Sequence, residues 1–202
     1  MSRSRIVKPV EERRQEILST ARRLFFMKGY KNTSVADIAR ELDIAQGLVF
    51  HYFKSKALLL YAVFDEIAAE EQEATKAFMT NHRGRAIDCL KLLFEQGSSN
   101  HGSEILFEDL ADDPAICEYL QDKLSSRSLP LIHELIERGN NDGSWQCDYP
   151  AETAVFISQG FSGILKNHKD YDIDLMRAAM QNILVRLLGI DTAPNQMTVW
   201  ER

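Results

Sequence analysis

The sequence of 202 residues predicts an all-α protein of about nine helices, with a three-helix helix-turn-helix domain at the N-terminus and a larger helical body after it. Three observations predict this. Apolar residues recur at helical spacing through most of the chain, and no strand-like alternation runs longer than a few residues. Near the N-terminus two short helical segments, joined by a tight turn, follow a longer one. The charge is also split. Residues 1–60 carry 12 Lys+Arg against 6 Asp+Glu, the other 142 carry 12 against 24, and the net is −6. A basic head on an acidic body directs only the head towards a polyanion.

Ile17, Leu18, Ala21, Leu24 and Phe25 form one apolar stripe, which predicts a helix over about Val10 to Lys28 with Gly29 as its stop. Ser34-Val-Ala-Asp37 reads as a capping box opening a second helix, whose inner face is Val35, Ile38, Ala39 and Leu42. Asp43-Ile44 makes the turn, a third helix covers about Ala45 to Tyr52, and Ser55 caps a fourth that reaches about Met79. Further helices are expected near Arg85–Gln96, Ser103–Ala111 and Pro114–Arg138, the last kinked or broken at Pro130. Asn140-Asn-Asp-Gly143 reads as a turn and Pro150 opens a helix to about Asn167. Asp172 or Asp174 caps the final helix, Gly189 ends it, and Asp191 to Arg202 is a tail. The expected domains are residues 10–70, with the helix-turn-helix at about 34–53, and a body over 71–190.

Composition excludes several classes. No apolar run approaches the roughly 18–20 residues that span a membrane. Arg3, Arg5 and Lys8 precede no apolar stretch, so a secretory leader is not expected. Cys89, Cys117 and Cys147 are widely spaced and odd in number, which points to a reducing, cytoplasmic setting rather than to disulfides or zinc. No nucleotide loop, nucleophile motif or pair of catalytic carboxylates stands out, so catalysis is not expected. His101, Glu104, Glu108 and Asp112 could share a helix face, and read as a solvated acidic surface rather than a metal cluster.

The segment Ala45 to Phe53 has the make-up of a helix that enters a major groove. Val49 and Phe53, at i and i+4, can anchor it. Gln46, Gly47, Phe50 and His51 are left to face outward, with Tyr52 at the edge. Gln can pair with adenine through two hydrogen bonds, and Gly lets the backbone approach closely. Lys54 and Lys56, beside the next helix start, suit phosphates.

Gly29-Tyr30, Thr33 through Ala39, Gly47, His51-Tyr52-Phe53-Lys54-Ser55-Lys56 and Leu58-Leu59-Leu60 stand in the order and spacing of a known signature. On these residues, over roughly Glu11 to Ala69, the sequence closely resembles the TetR family of bacterial transcription regulators. The resemblance implies that Thr33, Gln46, Gly47, Phe50, His51, Tyr52 and Lys56 occupy DNA-contact positions; Ser34, Leu48 and Lys54 join them as candidates. Leu48 and Phe50 depart from the usual small or hydroxyl residue and Tyr, which favours apolar contact, for instance with a thymine methyl.

The resemblance further implies a repressor that binds double-stranded, palindromic operator DNA as a homodimer and is released by a small apolar or amphipathic effector, with no other cofactor. Two stripes are the expected dimer surface: Ala154, Ile157, Ser158, Phe161 and Leu165, and Leu175, Ala179, Ile183 and Leu187. Phe64, Ile67, Phe78, Phe94, Phe107, Tyr119, Phe156 and Phe161 are candidates for an effector pocket, although aromatics at this spacing also make ordinary core. An activator or effector-independent DNA-binder, and an all-helical enzyme or adaptor, are the alternatives.

Overall fold

The computed structural model describes residues 8–96, 113–167 and 173–190. Among them are eight helices and no strand: α1 (Val10–Lys28), α2 (Val35–Glu41), α3 (Gln46–Tyr52), α4 (Lys56–Asn81), α5 (Ala86–Gln96), α6 (Pro114–Asp142), α7 (Pro150–Asn167) and α8 (Ile173–Leu187). The helix expected over Ser103–Ala111, the acidic cluster from His101 to Asp112, and the tail from Asp191 lie outside the described residues. The described chain divides into two compact units, residues 8–67 with 113–119, and residues 68–96, 120–167 and 173–190. The division falls inside α4, and the first turn of α6, which the sequence reading placed in the body, belongs with the first unit.

In the first unit local chemistry sets the helix ends. Gly29 closes α1 at φ 83°, with its N–H donating to the Phe25 carbonyl. Ser34 and Asp37 form the expected capping box on α2. Asp43 takes the tight turn after α2 at φ 52°, a left-handed conformation that Asp tolerates better than most side chains. The Ser55 hydroxyl accepts the Leu58 N–H at the start of α4. The stripe read on α1 is buried throughout, with Val35, Ile38 and Ala39 of α2, Val49 of α3 and Leu59, Leu60 and Val63 of α4. α2 packs on both α1 and α3. At the start of α6, the Tyr119 ring stacks on Tyr61 at 4.1 Å and its hydroxyl donates to Asp65 at 2.8 Å.

The second unit is held by longer-range ties. Its core joins Met79, Cys89, Leu90, Leu135, Ile136, Trp145, Ala154, Ile157, Leu184 and Leu188. Arg138 of α6 donates to the carbonyls of Met79 (2.8 Å), His82 and Gly84, serving the C-terminal end of α4. Asp142 and Ser144 accept the first amides of α5, from Ala86 at 2.6 Å and Ile87 at 3.2 Å. Pro130 does not break α6, which is continuous over all 29 of its residues, Pro114–Asp142. The proline is exposed and costs one backbone bond, a loss that a long helix packed on both sides of it outweighs. α6 also runs on to Asp142, so the turn expected over Asn140–Gly143 begins only at Gly143, φ 71°. α8 starts at Ile173, which leaves Asp174 within the helix and Asp172 outside the described residues.

Candidate nucleic-acid interface and the cavity of the second unit

The seven residues of α3 present two different faces. Val49 is fully buried and Phe53, just past its end, is nearly so, which anchors the helix inward. Gln46, Gly47, Phe50 and His51 are exposed, and Leu48 and Tyr52 are half-buried at the borders. Nothing lies within 4 Å of where a Cβ on Gly47 would stand, so that stretch of backbone is open to a large partner. The exposed groups are an amide, an imidazole, a phenyl ring and a bare backbone: donors and acceptors suited to base edges, with an apolar surface beside them. The His51 and Tyr52 rings meet edge to face at 5.4 Å.

Two lysines flank this edge. Lys54 is exposed, and its ammonium donates to the His51 carbonyl at 3.2 Å, which draws it over the end of α3. Lys56 is half-buried, with Nζ 4.1 Å from the centroid of the Tyr30 ring. A cation over an aromatic face is attracted to it, so Tyr30 limits where Lys56 can point. The Tyr30 hydroxyl titrates above its ordinary value, first because it is partly buried and then because Asp113 and Tyr61 lie close. The sequence reading used Tyr30 only as part of a motif; its spacing from Lys56 carries no local signal of the contact.

Thr33 is a correction. It is 1% exposed, its hydroxyl is bonded to the carbonyls of Gly29 (2.8 Å) and Leu24 (3.2 Å), and its N–H donates to Tyr30. A polar side chain at a conspicuous motif position reads as a contact, but here it satisfies carbonyls at the end of α1, where buried acceptors need partners. Ser34, next to it, is exposed and occupied with the cap: it accepts the Asp37 N–H at 3.1 Å and donates to the Asp37 carboxylate at 2.5 Å.

The second unit holds a cavity of about 320 Å³, at the small end of the range ligand sites occupy. Of the residues read as pocket candidates, Phe94 and Phe161 line it. The others are placed elsewhere. Phe64, Ile67 and Tyr119 belong to the first unit. Phe78 packs on the core and stacks on His82, Phe156 is 64% exposed, and Phe107 lies outside the described residues. The aromatic that sequence reasoning missed is Trp145, which lines the wall together with Ile136 and Leu188. Its indole N–H donates to the Ile136 carbonyl at 2.9 Å, and Gly139 lies so close that a Cβ there would come within 1.9 Å of the ring.

The two stripes read as a dimer surface part company. On α7, Ala154, Ile157 and Ser158 are buried in the unit's own core, and Phe161 faces the cavity. Ser158 donates to the Ser125 carbonyl at 3.1 Å, so this face is an internal helix contact. The Leu165 side chain lies outside the described residues. Among the described residues, the large apolar side chains that α7 exposes are Val155 and Phe156 instead. On α8 all four, Leu175, Ala179, Ile183 and Leu187, are exposed, and Leu184 and Leu188 turn inward. The α7 face differs from expectation because the helix is apolar on both faces, and periodicity cannot say which face meets the chain's own core.

Residues 17–63 match the family described as bacterial regulatory proteins, tetR family. The chain is 40% identical over 60 residues to the HTH-type transcriptional regulator HbdR of Aromatoleum sp. (strain CIB), a match covering 30% of this chain and 26% of that one. It is 22% identical over 190 residues to the HTH-type transcriptional regulator AcrR of Shigella flexneri, covering 88% of each. Its fold is that of a TetR-family transcriptional regulator from Pectobacterium atrosepticum, with TM-score 0.66 at 21% identity over 91% of this chain and 97% of that structure.

Proposed function

We propose that the chain, whose residues 17–63 match the tetR family of bacterial regulatory proteins, is a cytoplasmic transcriptional repressor of that family that binds operator DNA as a homodimer and leaves it when a small molecule enters the cavity. The observation that carries the DNA-binding reading is the exposed edge of α3, Gln46, Gly47, Phe50 and His51, held outward by the burial of Val49 and Phe53. Lys54 and Lys56 supply cations on its flank. Phosphates fix orientation and base edges supply sequence, so the two sets of residues have different duties. A dimer would place two copies of α3 in successive major grooves, roughly 34–36 Å apart. Candidate surface for that dimer is the exposed apolar set Val155 and Phe156 of α7 with Ala179, Ile183 and Leu187 of α8.

The release step needs a connection between the cavity and the head. α4 contributes Lys56 to the first unit and Gln72 and Thr75 to the cavity lining, and α6 contributes Tyr119 to the first and Ser128 and Leu131 to the lining. Two continuous helices thus offer covalent routes for a ligand that binds one conformation better than the other, with coupling typically of about 1–3 kcal/mol.

Gln46→Ala tests the reading. On the operator it should cost about 1–3 kcal/mol per half-site, and on random duplex far less. Equal losses on both duplexes in a titration would reduce Gln46 to a backbone contact, and no binding to any duplex by the unaltered chain would end the reading altogether.

A further inference from the structure

The cavity is polar at one end only. Gln72 donates to the Arg127 carbonyl at 3.1 Å, which sets that stretch of α4 beside Arg127 and Ser128 of α6. Glu71 and Thr75 line the cavity from the same turns of α4. Two turns on, Met79 lies beside Arg138, and the lining there is Met79, Ile136, Trp145 and Leu188. Seven residues of helix separate the two ends, about 10 Å at 1.5 Å per residue. The apolar end has no donor to offer from its indole, whose N–H is committed to the Ile136 carbonyl. At the polar end the two ionic side chains, Glu71 and Arg127, have opposite signs, so the lining presents no net charge.

Resting on the effector reading above, we infer that the ligand is a small uncharged amphiphile, with an apolar body about 10 Å long and a single hydrogen-bonding head such as a hydroxyl. The head lies at Gln72 and Thr75, where the Gln72 amide keeps its acceptor oxygen after its NH₂ has gone to Arg127. The body fills the end walled by Trp145 and Met79. A charged head is disfavoured because it would leave water for a mostly apolar cavity whose own charges already oppose one another.

Three probes of one length separate the possibilities: 1-octanol, octanoate and octylamine at neutral pH, added to the full chain carrying Trp200→Phe. That leaves Trp145 as the sole tryptophan of the two, so its emission reports the cavity directly. Octanol should shift the emission and raise the melting temperature, with each ion binding at least about tenfold more weakly. Gln72→Leu should weaken octanol several-fold, with its emission change retained at saturation. Octanoate or octylamine binding as tightly as octanol would overturn the uncharged class and leave the effector cavity standing. Unchanged octanol affinity in Gln72→Leu would overturn the placement of the head. If none of the three moved either signal, the effector reading itself would fall with it.

Discussion

Ser34 and Asp37 close the N-terminus of α2 with two short side chains that serve one another. The Ser34 hydroxyl and then its backbone N–H hold the Asp37 carboxyl well below its usual 3.8, at about 2, with Arg40 adding to the effect. A carboxyl whose folded value lies below its unfolded one stabilises the fold above the unfolded value and loses that contribution as pH falls through the folded one. The cap is therefore complete above about pH 4 and is lost towards pH 2. Urea unfolding of the native chain and Asp37→Asn should show the native chain the more stable at neutral pH, with the difference shrinking across that acid window. A difference that stayed constant with pH would mean that the charge on Asp37 is not what the cap uses. Next to it, Thr33 shows the limit of residue-by-residue transfer: position in a motif pointed outward, and burial with two carbonyl partners turned it inward.

Among elements, the end of α6 is where a missing side chain matters most. Gly139 faces the Trp145 ring across a gap no Cβ could share, and the Ser144 N–H returns to the Gly139 carbonyl at 2.9 Å. The absence of a side chain lets the loop fold flat against its own helix and brings the indole into the cavity wall. Gly139→Ala must displace the ring, which is pinned by its bond to Ile136. Overpacking of this kind costs about 1–3 kcal/mol. Thermal unfolding should show the loss, and Trp145 emission should move towards that of a more exposed indole. Unchanged stability and emission would show that the loop has room to yield. Glycine so close to a turn-rich run, Asn140 to Gly143, reads as part of the turn, and only the position of Trp145 identifies its task.

For the whole molecule, the proposed dimer would rest on the two C-terminal helices. Phe156 (64% exposed) and Ile183 (44%) lie outside the core of the single chain. Phe156→Glu and Ile183→Glu should therefore leave helical content intact, shift sedimentation towards monomer and lower operator affinity, because two half-sites are no longer held together. Phe161→Glu should behave differently. It places a carboxylate in the cavity wall, so its first effect is a lower melting temperature. Folded dimers in both exposed-face variants would move the interface to another surface, and equal behaviour of all three would show that the two faces of α7 are not distinct.

What the sequence by itself determined is whatever local chemistry decides. The extents of α1 and α2, the capping box, the Asp43 turn and the inward anchors of α3 all depend on residues within a turn or two of one another, and each was legible as pattern. The family resemblance, over roughly Glu11 to Ala69, lies in the same stretch, where residues 17–63 match the family. In the second unit the deciding partners are far apart in the chain. Arg138 serves carbonyls near Met79, Asp142 caps α5 from 56 residues away, and Trp145 completes a cavity with α4, α5, α7 and α8. Helical periodicity says that a face is apolar and not what it meets, so it cannot tell which face of α7 meets the core or that, of the eight pocket candidates, Phe94 and Phe161 line the cavity. Only the tertiary structure decided those, because burial is a property of the packed set of helices and not of any one of them.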